Sequence, residues 1–402
     1  MSLASITDQQ NAPPSLAVLA ERARALVPML RQRAAETERL RRIPDETLAE
    51  LHASGIFRML QPRRVGGSEL PYHALIELSA ILAEGCGSTA WVVANLASHH
   101  WMMAMWPKEA QDEVWGRSPD DLIGSALVFP SGRAVAAEGG YRLGGRWPFS
   151  SGVDASRWNF VGGIVHDERG KPVEQRIFLV EAKDYRIVDT WYATGLRGSG
   201  SKDIEMSDVF VPLHRTLPLS AMANGPAPGC TVNPAPLYRL PVLGLFAFVV
   251  SGVSLGLARG AVKDFTQSMQ ARLGSYSGRR LAALGNLQLK IAEASALADT
   301  AEALMLKACE EATRLAEADS APTMEQKARW RRDGAYAAGL CAEAVNQLFA
   351  ALGGGGLYLD QPIQRAFRDA HAANAHYALS WDVNGTQWGR LALGLPAEAI
   401  TL

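Results

Sequence analysis

From Leu16 to about Trp115 apolar residues recur at every third or fourth position, as at Leu16, Leu19, Ala20, Leu26 and Leu30, a period that predicts amphipathic helices. Pro44 and Asp45 in IPDETLAELHASGIF mark a helix start within this stretch. The pattern changes near Ser118-Pro119-Asp120. Beyond it come alternating, β-rich runs, LIGSALVF, YRLGGRWPF, NFVGGIV, QRIFLVEA, YRIVDTWY and DIEMSDVFVP, separated by Gly and Asp turns. A Pro-, Gly- and Asn-rich connector from Pro218 to Pro236 leads back to helical periodicity, including IAEASALADTAEALMLKACEEATRLAEA. The expected fold is α+β, mostly α: an N-terminal helical domain (1–118), a β-barrel-like middle domain (119–230) and a C-terminal helical bundle (231–402). Because the strands do not alternate with helices, a doubly wound nucleotide-binding sheet is not expected.

Leu240 to Ala258 runs nineteen residues without a charge, long enough to raise a membrane span. Its glycines at 244, 252, 256 and 260 fall at multiples of four, the spacing of a helix face approached closely by a neighbour, so a central buried helix is expected instead. The 402 residues are 48% apolar and 20% charged, which is enough to bury a large core and excludes bulk disorder. With 40 basic and 41 acidic residues the net charge of −1 offers no field for nucleic acid or an anionic membrane, and points to a neutral small-molecule partner. Cys86, Cys230, Cys309 and Cys341 have no metal-type or disulfide-framework spacing, and the N-terminus lacks a basic start followed by an apolar run. The expectation is a cytoplasmic protein with reduced thiols.

Several chemistries fail on spacing. The chain has no G-x-x-x-x-G-K-[ST] loop, no H-E-x-x-H helix and no strand-linked G-x-G-x-x-G. Gly252-Val253-Ser254-Leu255-Gly256 matches the nucleophile elbow of a serine hydrolase in letters, yet it lies inside a helical run where that motif needs a strand and a sharp turn. His99 and His100 are adjacent, diverge on a helix and have no carboxylate beside them, so no metal site is expected. Polar groups in apolar or Gly-rich context remain: Ser98-His99-His100, Ser125, Ser150-Ser151, His371 and His376. His371 and His376 are five apart and do not share a helix face, so at most one enters a given pocket.

GSTAWVVA (87–94), WPFSSGVDAS (147–156), VDTWYATGLRGSGSKDIE (188–205) and FRDAHAANAHY (367–377) resemble the acyl-CoA dehydrogenase superfamily, and within it the oxygenase components of two-component p-hydroxyphenylacetate 3-hydroxylases. The similarity runs in order from about Leu40 to Gly394. At the dehydrogenases' Tyr-Glu-Gly-Thr the chain has His376-Tyr377-Ala378-Leu379, without the carboxylate that would abstract a proton beside a thioester. The resemblance implies an acyl-CoA dehydrogenase-like fold with a C-terminal four-helix bundle, assembled as a homotetramer. It also implies reduced FMN or FAD from a separate NAD(P)H-dependent reductase, dioxygen as co-substrate, a small aromatic substrate, and hydroxylation through a flavin C4a-hydroperoxide.

Residue by residue, it implies that His99 and Ser125 grip a substrate phenol oxygen, that Ser150 bonds near flavin N5, and that His376 lies near flavin C4a and the substrate. His371 is given a structural role. Trp91, Phe149 and Ser151 would help to form a dry flavin pocket, while Arg197, Ser199, Ser201 and Lys202 present amide and cationic groups to a flavin phosphate. Arg239 and the Gly353–Gly356 loop are expected to reach flavin across a subunit interface. Around His99-His100-Trp101 the chain departs from the p-hydroxyphenylacetate pattern, which leaves the substrate ring open, an indole or other heteroaromatic included. An acyl-CoA dehydrogenase is the alternative within the fold, and a non-catalytic oligomeric binder an alternative outside it.

Overall fold

The structure is a computed structural model that describes residues 13–224, 227–273, 278 and 280–398. The leading segment, residues 1–12, read above for a secretory signal, lies outside them. Five helices come first: α1 (Leu16–Leu40), α2 (Asp45–Ser54), α3 (His73–Ala83), α4 (Gly87–Met103) and α5 (Lys108–Trp115). Ser15 caps α1 by accepting from the Val18 amide, and the buried stripe Leu19, Ala23, Leu30 and Ala34 follows the helical period seen in the sequence. α4 shows no such stripe, since sixteen of its seventeen residues are buried. It is an interior helix, and polar side chains on it must find partners or ligands.

Eight strands follow: β1 (Ile123–Ala126), β2 (Gly132–Ala137), β3 (Gly140–Ser150), β4 (Trp158–His166), β5 (Pro172–Glu181), β6 (Arg186–Val188), β7 (Lys202–Pro212) and β8 (Thr216–Pro218). Their order is β6-β7-β3-β2-β4-β5-β8. β1 and β2 lie in line along one edge of β4, both parallel to it, with Ile123 opposite Trp158 and Arg133 opposite Ile164. The α+β class is as expected, but the sheet is open and not a closed barrel, because among the described residues the end strands β6 and β8 do not pair. Alternation along each strand specifies which side faces the core, and it carries no information on whether distant edges meet.

After the short α6 (Leu219–Asn224), the C-terminal part comprises α7 (Val242–Ala271), α8 (Gly285–Glu317), α9 (Met324–Ala351), α10 (Pro362–Asn374) and α11 (Trp381–Ala392). α7, α8 and α9 pack side by side, α10 lies on α7 and α9, and α11 lies on α9. α7 has the length and hydropathy of a membrane span, yet 89% of its apolar window is buried in the protein. Its glycines explain how: a Cβ at Gly252 would lie 2.4 Å from Ser79 Oγ, and one at Gly256 2.1 Å from the Ala80 carbonyl oxygen. α3 and α7 therefore touch backbone to backbone. Ser254 lies buried within this helix with no strand or turn at it, which removes the hydrolase reading.

Candidate active site

α4 carries Trp91 and His99 on the side turned toward the sheet. His99 Nδ1 is 2.6 Å from the Ile123 carbonyl oxygen at the start of β1. A carbonyl only accepts, so the ring proton is on Nδ1 and Nε2 presents a lone pair. The ring meets Phe160 edge-on at 5.9 Å, and Phe160 stacks on Trp106 at 5.0 Å. Burial lowers the His99 pKa to about 4 against the opposing pull of the Ile123 carbonyl, so His99 is neutral at neutral pH. His100 diverges as the spacing requires, accepting the Trp115 indole N–H at 3.1 Å. Ser125 lies two residues beyond Ile123 on the same face of β1, half-buried, its hydroxyl without a partner among the described residues.

β3 ends in a bulge. Its register with β7 slips between Trp147 and Ser150, and Phe149 takes φ 69, a left-handed conformation uncommon for an aromatic residue. Phe149 is thereby 62% exposed while Ser150 is fully buried, its Oγ accepting from Asn159 Nδ2 at 2.8 Å. The next hydroxyl belongs to a chain. Trp91 Nε1 donates to Ser151 Oγ at 3.1 Å, Ser151 and Ser201 share a hydrogen bond of 2.7 Å, and Ser201 and Ser199 share another of 2.7 Å. Two mutual bonds use two of the three hydroxyl protons, leaving one to donate outward.

His376 enters from the C-terminal helices. It precedes the turn Tyr377–Leu379, and its Nδ1 accepts from the Ala378 amide at 3.2 Å, which places the ring proton on Nε2. Its tautomer is thus opposite to that of His99. The half-buried ring lies against Trp91 at 5.6 Å and Phe246 at 5.8 Å, and desolvation lowers its pKa to about 4. The site has an acceptor histidine and a donor histidine, both uncharged.

Trp91, Ser151, Ser199, Ser201 and His376 are joined by direct contacts, with Ser150 next to them in the chain; His99 and Ser125 share β1. Other residues fall outside this group. Arg197 is exposed and lines a surface groove of about 450 Å³ with Glu38, Arg39, Arg365 and Arg368. Lys202 Nζ is bound to Asp154 at 2.7 Å. His371 is exposed, bonded to Asn346 and stacked edge-on with Phe367. Arg239 donates to the Ala316 carbonyl near the end of α8, and Gly353–Gly356 forms a turn followed by the exposed Leu357, Tyr358 and Leu359.

Sequence reasoning missed Asn159, Phe160, Trp106 and Phe246, which position the chosen residues. Asn159 had one faint signal, an amide in an otherwise apolar strand run. The donors and walls suit an isoalloxazine, which needs a flat apolar surface and hydrogen bonds at its edge. Trp91, Phe246 and the exposed Phe149, 6.4 Å from Trp191, supply aromatic surface, and the serine chain supplies a hydroxyl donor.

Helices, open sheet and helical bundle, with an aromatic-walled polar site between sheet and bundle, define a flavoprotein scaffold of the acyl-CoA dehydrogenase type. Residues 16–117 match the acyl-CoA dehydrogenase N-terminal domain and residues 248–381 the acyl-CoA dehydrogenase C-terminal domain. The chain is 36% identical over 94% of its length, and 98% of the relative's, to the flavin-dependent monooxygenase oxygenase subunit HsaA of Rhodococcus jostii. It is 34% identical to the oxygenase component of the FADH(2)-dependent resorcinol hydroxylase of a Rhizobium species, covering 94% of each chain. To the p-hydroxyphenylacetate 3-hydroxylase oxygenase component of Acinetobacter baumannii it is 32% identical, covering 94% of this chain and 89% of the relative. The crystal structure of 3-HSA hydroxylase from Rhodococcus sp. RHA1 superposes with a TM-score of 0.92 at 35% identity, covering 96% of this chain and 99% of that one. The chain belongs to the oxygenase components of flavin-dependent monooxygenases within the acyl-CoA dehydrogenase superfamily.

Proposed function

We propose that this protein hydroxylates a small phenol-type aromatic compound, with reduced FMN or FAD supplied by a separate NAD(P)H-dependent reductase and dioxygen as co-substrate. Bound reduced flavin would supply the activation of dioxygen and the transfer of one oxygen atom. The observation that carries the reading is the His99 tautomer. Its Nδ1–H is committed to Ile123, so the buried Nε2 lone pair is fixed in direction and suited to a phenolic O–H. A neutral imidazole of low pKa does not strip the phenol proton in the resting complex. It accepts the hydrogen bond and draws the proton as charge develops, which makes the ring carbon beside the oxygen more nucleophilic.

Ser125, free on the same strand face, would donate to that oxygen and orient it. His376 Nε2–H would donate on the flavin side, and Ser150, backed by Asn159, would hold a hydrogen bond at the flavin edge. Trp91, Phe149, Ser151, Ser199 and Ser201 would form the flavin-facing wall. Arg197 and Lys202 are assigned to the flavin phosphate region, Lys202 through its pairing with Asp154. We assign the three-domain division proposed from the sequence, a cytoplasmic setting and a homotetramer, with exposed Leu357, Tyr358 and Leu359 beside the glycine turn available to a second copy.

The test is a panel of phenols, their methyl ethers and indoles assayed with chemically reduced FMN or FAD, scoring product against oxygen consumed. Phenols coupling well and methyl ethers poorly is the expected result. Equal coupling of phenols and their methyl ethers would show that no O–H is read, and coupling restricted to indoles would move the assignment to N–H substrates.

A further inference from the structure

Asp369 on α10 is the most deeply buried carboxyl group near the site, at 1% exposure. Its Oδ1 accepts from the Leu196 amide at 2.6 Å, while its Oδ2 is buried without a partner. That oxygen borders a small cavity of about 80 Å³, room for a few waters, lined by Cys86, Gly87, Leu257 and Asp369 and rimmed by charged groups. Those charges are otherwise engaged. Arg31 pairs with Asp264, Lys263 with Glu84, and Arg365 and Arg368 with Glu38. Together with the Cys86 thiol these are the titratable and charged groups facing Asp369 from α1, the α3–α4 junction, α7 and α10. None is hydrogen-bonded to it.

The turn it holds matters for the serine chain. Thr194–Gly200 is pinned at few points: Arg368 donates to the Thr194 carbonyl, Asp369 accepts from Leu196, Ser88 accepts from the Gly198 amide and Trp191 donates to the Leu196 carbonyl. Leu196 sits in a left-handed conformation at φ 48, which the bond to Asp369 helps to maintain. Three residues on, Ser199 begins the hydroxyl chain to Ser201, Ser151 and Trp91. Desplacement of this turn would break the alignment of all three hydroxyls.

We propose that Asp369 is a positioning residue: as a neutral carboxyl group it locks the Thr194–Gly200 turn, and through it the flavin-facing serines, and ionisation loosens that lock. The flavin-facing role of the serines rests on the functional reading above; the lock itself does not. Burial raises the Asp369 pKa to about 7, opposed in part by the Leu196 amide. An opened turn admits water and returns the carboxyl toward its usual value of about 3.9. Over the interval between the two values the closed turn binds a proton that the open turn does not, so closure is favoured in mild acid and weakens as pH rises to about 7.

The experiment is hydrogen exchange of the Leu196 amide in the full-length protein and in Asp369→Asn, with FMN affinity measured alongside on these and on Asp369→Ala. In the native protein the protection factor, corrected for intrinsic exchange, should fall about tenfold per pH unit between about pH 5 and about pH 7. In Asp369→Asn, whose amide oxygen still accepts from Leu196 but cannot ionise, protection should be flat. Asp369→Ala, leaving the amide unpaired, should weaken FMN binding about tenfold, with Asn retaining most of the affinity. A pH-independent protection factor in the native protein, or the same slope in Asp369→Asn, overturns the lock. Equal FMN affinity in the Ala variant overturns the positioning role. Should the native protein bind no FMN, the functional reading fails, and the exchange data still decide the lock.

Discussion

Replacing His99 with Asn separates the two bonds that its ring can make. The Asn side-chain amide can stand in for Nδ1–H and donate to the Ile123 carbonyl, while nothing replaces the Nε2 lone pair. Fold stability should therefore change little in Asn. In His99→Ala the Ile123 carbonyl loses its donor, which costs about 1–3 kcal/mol, and a hole opens beside Phe160, for a total of about 2–4 kcal/mol. Function should divide differently. A hydrogen bond to a group gaining charge contributes about 1.5–3 kcal/mol, so both variants should lose about ten- to a hundredfold in hydroxylation rate. The assay mixes protein, reduced flavin and oxygenated buffer with a phenol, and measures product, oxygen consumed and hydrogen peroxide. Flavin affinity should be unchanged and peroxide should rise as product falls. If His99→Asn hydroxylates with native coupling, Nε2 does not read the substrate and the assignment of His99 is wrong.

Ser150→Ala removes the acceptor of Asn159 Nδ2 and, with it, the hydroxyl assigned to the flavin edge; peroxide release should quicken severalfold with substrate binding retained, as followed by peroxide yield per oxygen consumed. His99 and His376 both have folded-state pKa values of about 4, below the usual value of about 6.5. Their neutral forms therefore contribute stability that is present above the usual value and lost as pH falls through about 4, so acid unfolding should shift to lower pH in His99→Asn. Gly256→Ala forces a methyl group to 2.1 Å from the Ala80 carbonyl and should destabilise by about 3 kcal/mol, seen as a lowered thermal midpoint. The same change at Gly339, where nothing lies within 4 Å, should be harmless.

What the sequence discloses here is what local chemistry fixes. Apolar period separated helices from strands, the glycine spacing marked α7 as closely packed, and adjacency forced His99 and His100 apart. The closure of the sheet was not legible, since it depends on whether β6 and β8 meet, and no local pattern encodes that. Partner assignments were lost for the same reason. Leu196 and Asp369 are 173 residues apart, and Asn159 reaches Ser150 only because β4 lies beneath the β3 bulge. The Arg197–Lys202 run read as one cationic group, yet its first residue faces a surface groove and its last is neutralised by Asp154. Charge counted along a turn does not tell which side each residue takes.

The backbone contact between α3 and α7 divides the molecule by its tolerance to redesign. Where helices meet at Gly252 and Gly256 there is no side-chain volume to exchange, so that seam accepts almost no variation in size. Phe246 lies on the same helix beside His376, and Phe160 and Trp106 stand beside His99; these are bulky residues with volume to trade. A library seeking a larger or smaller aromatic ring should spend its diversity on those three and leave the glycine seam untouched.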